Sequence, residues 1–320
     1  MMIDTHQHFW KLDRGDYGWL TPDLTPLYRD FLPEDLEPIL KACGIDATIA
    51  VQAADSEAET DYLLTLADRY EWIVSVVGWV DLEAQSAVAS IERLARHPKL
   101  VGLRPMIQDI EDEAWMLRDT LRPAIDAMVA NDLTFDALVT PRHLHHLKAF
   151  LTRYPELRVV IDHCAKPEIR NDAFEPWASQ MIELADFPNV FCKMSGLATE
   201  AREGWAPEDL KPYLAHVCRQ FGPSRVLFGS DWPVVNLASS YEHGTRFSGL
   251  SIRSMVCRYR FHPMSCKEPI RAFHYRPGDG SMVTKHSDHW FVTKLGDRLS
   301  NHALLLRKRP FVGTRQEFKP

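Results

Sequence analysis

No run of apolar residues in this chain is long enough to span a bilayer, so a membrane-crossing helix is not expected. The opening stretch, MMIDTHQHFW, lacks both the basic segment and the apolar segment of a secretory leader. Cysteine is scarce: the six residues 43, 164, 192, 218, 257 and 266 form no Cys-x-x-Cys pair. That argues against a disulfide framework and fits a reduced, cytoplasmic protein. Nor does the composition carry the bias of a disordered chain, a coiled coil or a collagen-like fibre, being 45% hydrophobic and 25% charged. What remains is an ordinary globular chain of 320 residues, long enough for one large domain or two medium ones.

The net charge of −7 conceals a split. Residues 1–241 hold 22 Lys and Arg against 38 Asp and Glu, whereas residues 242–320 hold 15 against 6. The two parts therefore carry −16 and +9, and the chain divides at about residue 241.

Within residues 1–241, short apolar or β-branched runs recur at 2–4, 47–51, 73–80, 100–103, 133–139, 158–161, 190–192 and 226–228. Most do not alternate apolar with polar residues, the pattern of parallel strands buried on both faces. Helical periodicity fills many of the gaps, at 56–70, 84–95, 115–130, 142–153, 175–185 and 207–220. Eight strands alternating with helices predict a (β/α)8 TIM barrel. The alternative is an open doubly wound sheet, which the absence of a GxGxxG after the first strand disfavours.

In such a barrel the chemistry sits where the strands end. The first strand runs into Asp4-Thr5-His6-Gln7-His8, and residues two apart on a strand point to the same side, so His6 and His8 share one target. Other ends supply Gln52, Arg104, Asp162 with His163 and Lys166, Lys193, and Asp231. Singly, each has a plain structural reading: Gln52 caps a loop, Arg104 makes an ion pair, Lys193 reaches solvent over the rim, Asp162 orients a neighbour or caps the following turn. Their coincidence at one rim favours a site. Trp10 and Trp232 flank the strand ends and are candidates to wall a pocket, against a default role in packing. His143 and His146 share a helix face, which reads as solvated surface rather than as a ligand pair.

Together the motifs Asp4-Thr5-His6-Gln7-His8-Phe9-Trp10, Gly102-Leu103-Arg104-Pro105, Asp162-His163 with Lys166-Pro167, Lys193-Met194-Ser195-Gly196 and Phe228-Gly229-Ser230-Asp231-Trp232-Pro233 resemble the amidohydrolase superfamily. The nearer resemblance is to its branch of sugar and dicarboxylate lactonases, which includes L-fuconolactonases and L-rhamnono-lactonases. It implies a TIM barrel that hydrolyses a cyclic ester. The expected partner is a small-molecule lactone, with neither nucleic acid nor membrane expected. Members with two metals use a lysine on strand four and a histidine on strand five. This chain has Arg104 on strand four, and strand five offers Asp136 and Thr140. The resemblance therefore implies one divalent cation, zinc first, or none.

On this reading Asp231 is the general base for the attacking water. His6, His8 and His163 polarise the carbonyl directly or, with Asp231, hold the one ion. Gln52, Arg104 and Lys166 contact substrate hydroxyls or carboxylate. A decarboxylase of aromatic or unsaturated acids is the rival activity.

Residues 242–320 do not continue the pattern. An amphipathic closing helix is expected after Tyr241, but the text turns to Arg, His, Ser and Pro without sustained period. Three readings compete: an out-of-frame or fused sequence, a basic appendage for an acidic partner or nucleic acid, and an unusual folded extension. The simultaneous change in composition, charge and periodicity favours the first, and with it a non-enzyme alternative, a catalytically dead barrel.

Overall fold

In the computed structural model residues 2–243 are described throughout, and beyond them only three strands. The eight expected strands are present: β1 Ile3–Gln7, β2 Ala47–Val51, β3 Ile73–Gly78, β4 Leu100–Leu103, β5 Thr134–Ala137, β6 Val159–Ile161, β7 Val190–Met194 and β8 Val226–Phe228. They pair in parallel in sequence order. The seam between first and last strands is closed by the Gln7–Trp232 bridge, by the Asp231 amide donating to His6 O at 2.8 Å and by the His8 amide donating to Trp232 O at 2.7 Å. The protein is a (β/α)8 barrel, and its seam is stitched by the very residues proposed for chemistry.

Helices α2 Glu57–Arg69, α3 Ala87–Ala95, α4 Arg122–Ala130, α5 Leu144–Arg153, α6 Trp177–Ala185 and α8 Pro207–Phe221 occupy the expected gaps. Leu63, Ile91, Ile125, Leu147, Met181 and Val217 bury the inner stripes of these six helices against the sheet. Gly78 makes room for α2: a Cβ there would lie 2.4 Å from Thr60 Cγ2.

The fold corrects two expectations. Helix α1 Pro33–Cys43 was not foreseen, because Pro33 and Pro38 interrupt its text. Pro33 stands in the first turn, where no amide partner is required, Asp35 accepts from the Leu32 amide at 2.9 Å, and Gly44 ends the helix with φ 67°. Conversely, the helix expected over 115–130 begins only at Arg122. Short 3-10 turns precede it, and extended backbone at Arg118 (φ −64°, ψ 134°) breaks the run. A four-residue helix, α7 Leu197–Glu200, follows β7 directly.

The last strands, β9 His274–Tyr275, β10 Ser281–His286 and β11 His289–Lys294, form a separate antiparallel sheet in the order β11-β10-β9. They belong to a second compact unit, 267–320. The expected closing helix after Tyr241 and the origin of the 242–320 segment lie outside the described residues. Among the described residues no helix is long and apolar enough to cross a membrane.

Candidate active site

Strand β1 alternates. Asp4, His6 and His8 point into the barrel and are buried. His8 Nδ1 lies 2.8 Å from Val51 O, which can only accept, so the ring proton sits there and Nε2 offers a lone pair. His6 Nδ1 faces the Asp162 carboxylate at 3.5 Å, which likewise leaves Nε2 as the lone-pair atom. The two Nε2 atoms stand 3.2 Å apart. Asp231 Oδ1 is 3.4 Å from His8 Nε2 and 3.8 Å from His6 Nε2, and its Oδ2 is 4.0 Å from His163 Nδ1.

Backbone conformation aims the later residues. His163, Cys164, Ala165 and Lys166 all adopt positive φ, 51°, 53°, 59° and 48°, as does Asp231 at 59°. L-residues adopt this region only where the surrounding structure enforces it. Here the turn brings His163 Nδ1 to 2.9 Å from Ser195 Oγ and seats Cys164 Sγ on Lys193 O. Gly196, at φ 63°, is needed beside it: a Cβ would sit 2.6 Å from the His163 ring and 3.1 Å from Asp231.

Beneath this cluster lies a buried charge network. Lys193 Nζ is 2.5 Å from Asp136 Oδ2 and 3.0 Å from Asp162 Oδ1, while Arg104 approaches Asp162 at 3.5 Å. Lys193 is 3% exposed, so the reading that sends it over the rim to solvent is overturned. With Asp136 and Asp162 both buried around it, the ammonium finds its charge balance inside the barrel. Its pKa is raised, the two carboxylates outweighing burial. The Asp162 carboxylate thus sits between Lys193, Arg104 and the His6 ring.

Burial drives His6 well below the usual imidazole range and brings His163 down to about 4, so both rings are neutral at physiological pH. Burial alone would raise Asp231, but the attraction of its imidazole neighbours in their protonated form, His163 first, holds its carboxyl far below the usual range, so it is already ionised when those rings become neutral. Glu200, at the end of α7, is raised by burial, and the Asp231 charge pushes it the same way.

Of the remaining candidates, Gln52 and Arg104 are joined. Gln52 Nε2 donates to Arg104 O at 2.7 Å, and the Arg104 guanidinium donates to Gln52 O and lies 3.4 Å from His6 Nε2. The buried Oε1 of Gln52 has no partner among the described residues. Lys166 stands nearer the opening, 3.9 Å from Glu200. Trp10 and Trp232 are 0% and 2% exposed and stack edgewise on Phe31, forming the packed backing of the site. His143 is not solvated surface: it is buried and accepts from the Thr140 amide at 3.1 Å.

Three contributors had been given no role: Asp4, Ser195 and Glu200. Asp4 accepts from the amides of His6 and Ser230 and from the Tyr241 hydroxyl, tying β1 to the loop that carries Asp231. Both Asp4 and Ser195 stand inside the motifs quoted above, which was the available signal. Glu200 had none, standing on a helix too short to read.

His6, His163 and Asp231 present ligand atoms all within 4.8 Å of one another, and all three are buried. Two imidazole lone pairs and a carboxylate converging in a dry place repel one another without a cation between them. The donor set therefore fits one divalent ion of zinc type. The lysine of a two-metal site is absent from strand four, where Arg104 stands.

Comparison with known proteins agrees. The chain is 52% identical over 241 residues to an L-fucono-1,5-lactonase of Burkholderia ambifaria, which spans 75% of this chain and 82% of that one. It is 40% identical over 255 residues to an L-fucono-1,5-lactonase of Burkholderia multivorans, with 76% and 85% covered. A crystal structure of an amidohydrolase from Burkholderia multivorans with bound zinc superposes with a TM-score of 0.74 at 37% identity, covering 82% and 93% of the two chains. The amidohydrolase family model matches residues 3–249, and the chain belongs to the amidohydrolase family.

Proposed function

We propose that the chain hydrolyses a sugar-acid lactone, with an aldonolactone such as L-fucono-1,5-lactone as substrate. The observation that carries this reading is the convergence of an ionised Asp231 with the neutral rings of His6 and His163, and with His8, at the end of the barrel. The L-fucono-1,5-lactonase relatives supply the substrate class. On this reading residues 1–241 form the catalytic unit.

Asp231 takes the proton of the attacking water. Its low basicity in the resting site demands a water whose proton is already loosened. His6, His8, His163 and Asp231 would hold one divalent cation, which when bound would supply Lewis-acid polarisation of the carbonyl and lower the pKa of a water to about 7. The chain's own groups do the rest. Arg104, fixed by Gln52 and Asp162, presents a permanent positive charge beside His6 toward the carbonyl oxygen as it gains charge. Loss of one such donor typically costs about 3 kcal/mol of barrier. On this reading Gln52 and Lys166 contact substrate hydroxyls, and Trp10 and Trp232 back the wall.

The test is a panel of aldonolactones followed with a pH indicator, with and without added zinc or manganese. The reading expects acid release without carbon loss from at least one lactone, dependent on the metal. Carbon dioxide release from an aromatic or unsaturated acid, with every lactone inert, would assign decarboxylation instead.

A further inference from the structure

The mouth of the barrel holds one ion pair that differs from the others. Lys166 Nζ and Glu200 Oε1 stand 3.9 Å apart, with side chains 23% and 26% exposed. That separation is too long for a hydrogen bond. Neither side chain forms one among the described residues. Other pairs that stand this far apart, Arg122–Asp126 and Arg142–Glu113 at 3.8 Å and Arg202–Asp172 at 3.9 Å, have side chains 45% to 81% exposed and are open to water. Here a carboxylate and an ammonium sit mostly out of water with their capacity unspent.

Their position is set by the site itself. Lys166 ends the left-handed turn that begins at His163, and its charge is felt at that ring. Glu200 ends α7, which starts at Gly196 against His163 and Asp231. Nearby Arg170 is occupied with Thr199 O at 3.1 Å. The opening therefore offers an acceptor and a donor a few ångströms apart beside the proposed base.

We infer that Glu200 is a specificity-determining residue that, with Lys166, accepts the hydroxyls of a neutral sugar lactone and turns away lactones bearing a second carboxylate. Vicinal hydroxyls satisfy both unspent groups, donating to Glu200 and accepting from Lys166. A substrate carboxylate at the same place would face Glu200, with Asp231 adding its own negative charge. The inference rests on the lactonase reading and narrows it to uncharged polyhydroxy lactones.

The experiment compares the metal-loaded wild type with Glu200→Gln and Glu200→Ala on two probes, L-fucono-1,5-lactone and a six-carbon aldarolactone carrying a free carboxylate. Loss of a hydrogen bond to a charged group corresponds to roughly a 10- to 100-fold fall in kcat/KM. We expect that fall on the neutral lactone, mainly through KM, in both variants. The ratio of carboxylated to neutral turnover should rise at least about tenfold in both, with melting temperature unchanged. An unchanged ratio in variants that still melt as the wild type, or equal loss on both probes through kcat, overturns the role of Glu200 while leaving the hydrolase intact. Turnover of neither probe by the wild type, with other lactones also inert, overturns the lactonase reading and this inference together.

Discussion

Replacing Lys193 with methionine leaves the barrel shape nearly unchanged in volume but strips the cation from between two buried carboxylates. Lys193 Nζ lies 2.5 Å from Asp136 and 3.0 Å from Asp162, and the three side chains are 3%, 1% and 0% exposed. Removing one member of such a cluster leaves uncompensated buried charge, at a cost of about 3–5 kcal/mol. For a chain of this size that lowers Tm by roughly 10 °C. Asp136 is already raised by burial, so in the variant it is the carboxyl that takes up a proton. An acid with a raised folded pKa favours the fold more as pH falls, so the deficit of Lys193→Met narrows between pH 8 and 5. The double variant Lys193→Met/Asp136→Asn removes the stranded charge and recovers about 2 kcal/mol or more of the loss. Urea unfolding at matched m-value reads all three proteins. A single variant within about 1 kcal/mol of wild type, or a double variant no better than the single, would refute the idea that the lysine balances the inner carboxylates.

Other consequences concern the catalytic end. Gly196→Ala forces a Cβ to within 2.6 Å of the His163 ring, and the shift of about 1 Å that relieves the clash is expected to lower kcat about 100-fold, read by steady-state kinetics. Glu59, which accepts from the Ala53 and Ala54 amides next to Gln52, is raised by burial to about 7 from an ordinary 4.5. Below pH 4.5 it is protonated folded and unfolded alike. As pH climbs through 4.5 toward 7 the unfolded chain ionises first, so wild-type stability falls by about 3 kcal/mol over that window. Glu59→Gln should show a correspondingly flatter profile, and a profile parallel to wild type would contradict the assignment. Zinc at about a thousandfold over its Kd should stabilise the fold by about 4 kcal/mol in thermal unfolding, an effect that a chelator reverses and His6→Ala abolishes. Equal shifts in wild type and His6→Ala would place the ion elsewhere.

How far the sequence could be read depended on whether the signal was local. Strands β2, β4 and β8 run within the bounds that their mostly apolar text implied, since an inner strand of a barrel is covered largely by its own apolar residues. Helix α1 escaped because its two prolines are breakers in the text, yet one occupies the first turn, where a proline fits. The parity of β1 sufficed to pair His6 with His8. Parity could not show that Lys193 on β7 reaches Asp136 on β5, since that contact depends on barrel closure and on which side chains meet across the interior. Residue type alone likewise could not separate Trp10 and Trp232, sealed against Phe31, from aromatics open to a ligand. Glu200 was illegible for a simpler reason: four helical residues carry no period.

The central claim is that Asp231 and the three imidazoles around it form one hydrolytic centre. It is tested most directly by L-fucono-1,5-lactone turnover in zinc-loaded wild type and Asp231→Asn, each with its melting temperature recorded. The account predicts ready acid release by the wild type and a loss of about 1,000-fold in a variant that remains folded. Equal turnover by the two proteins would contradict it.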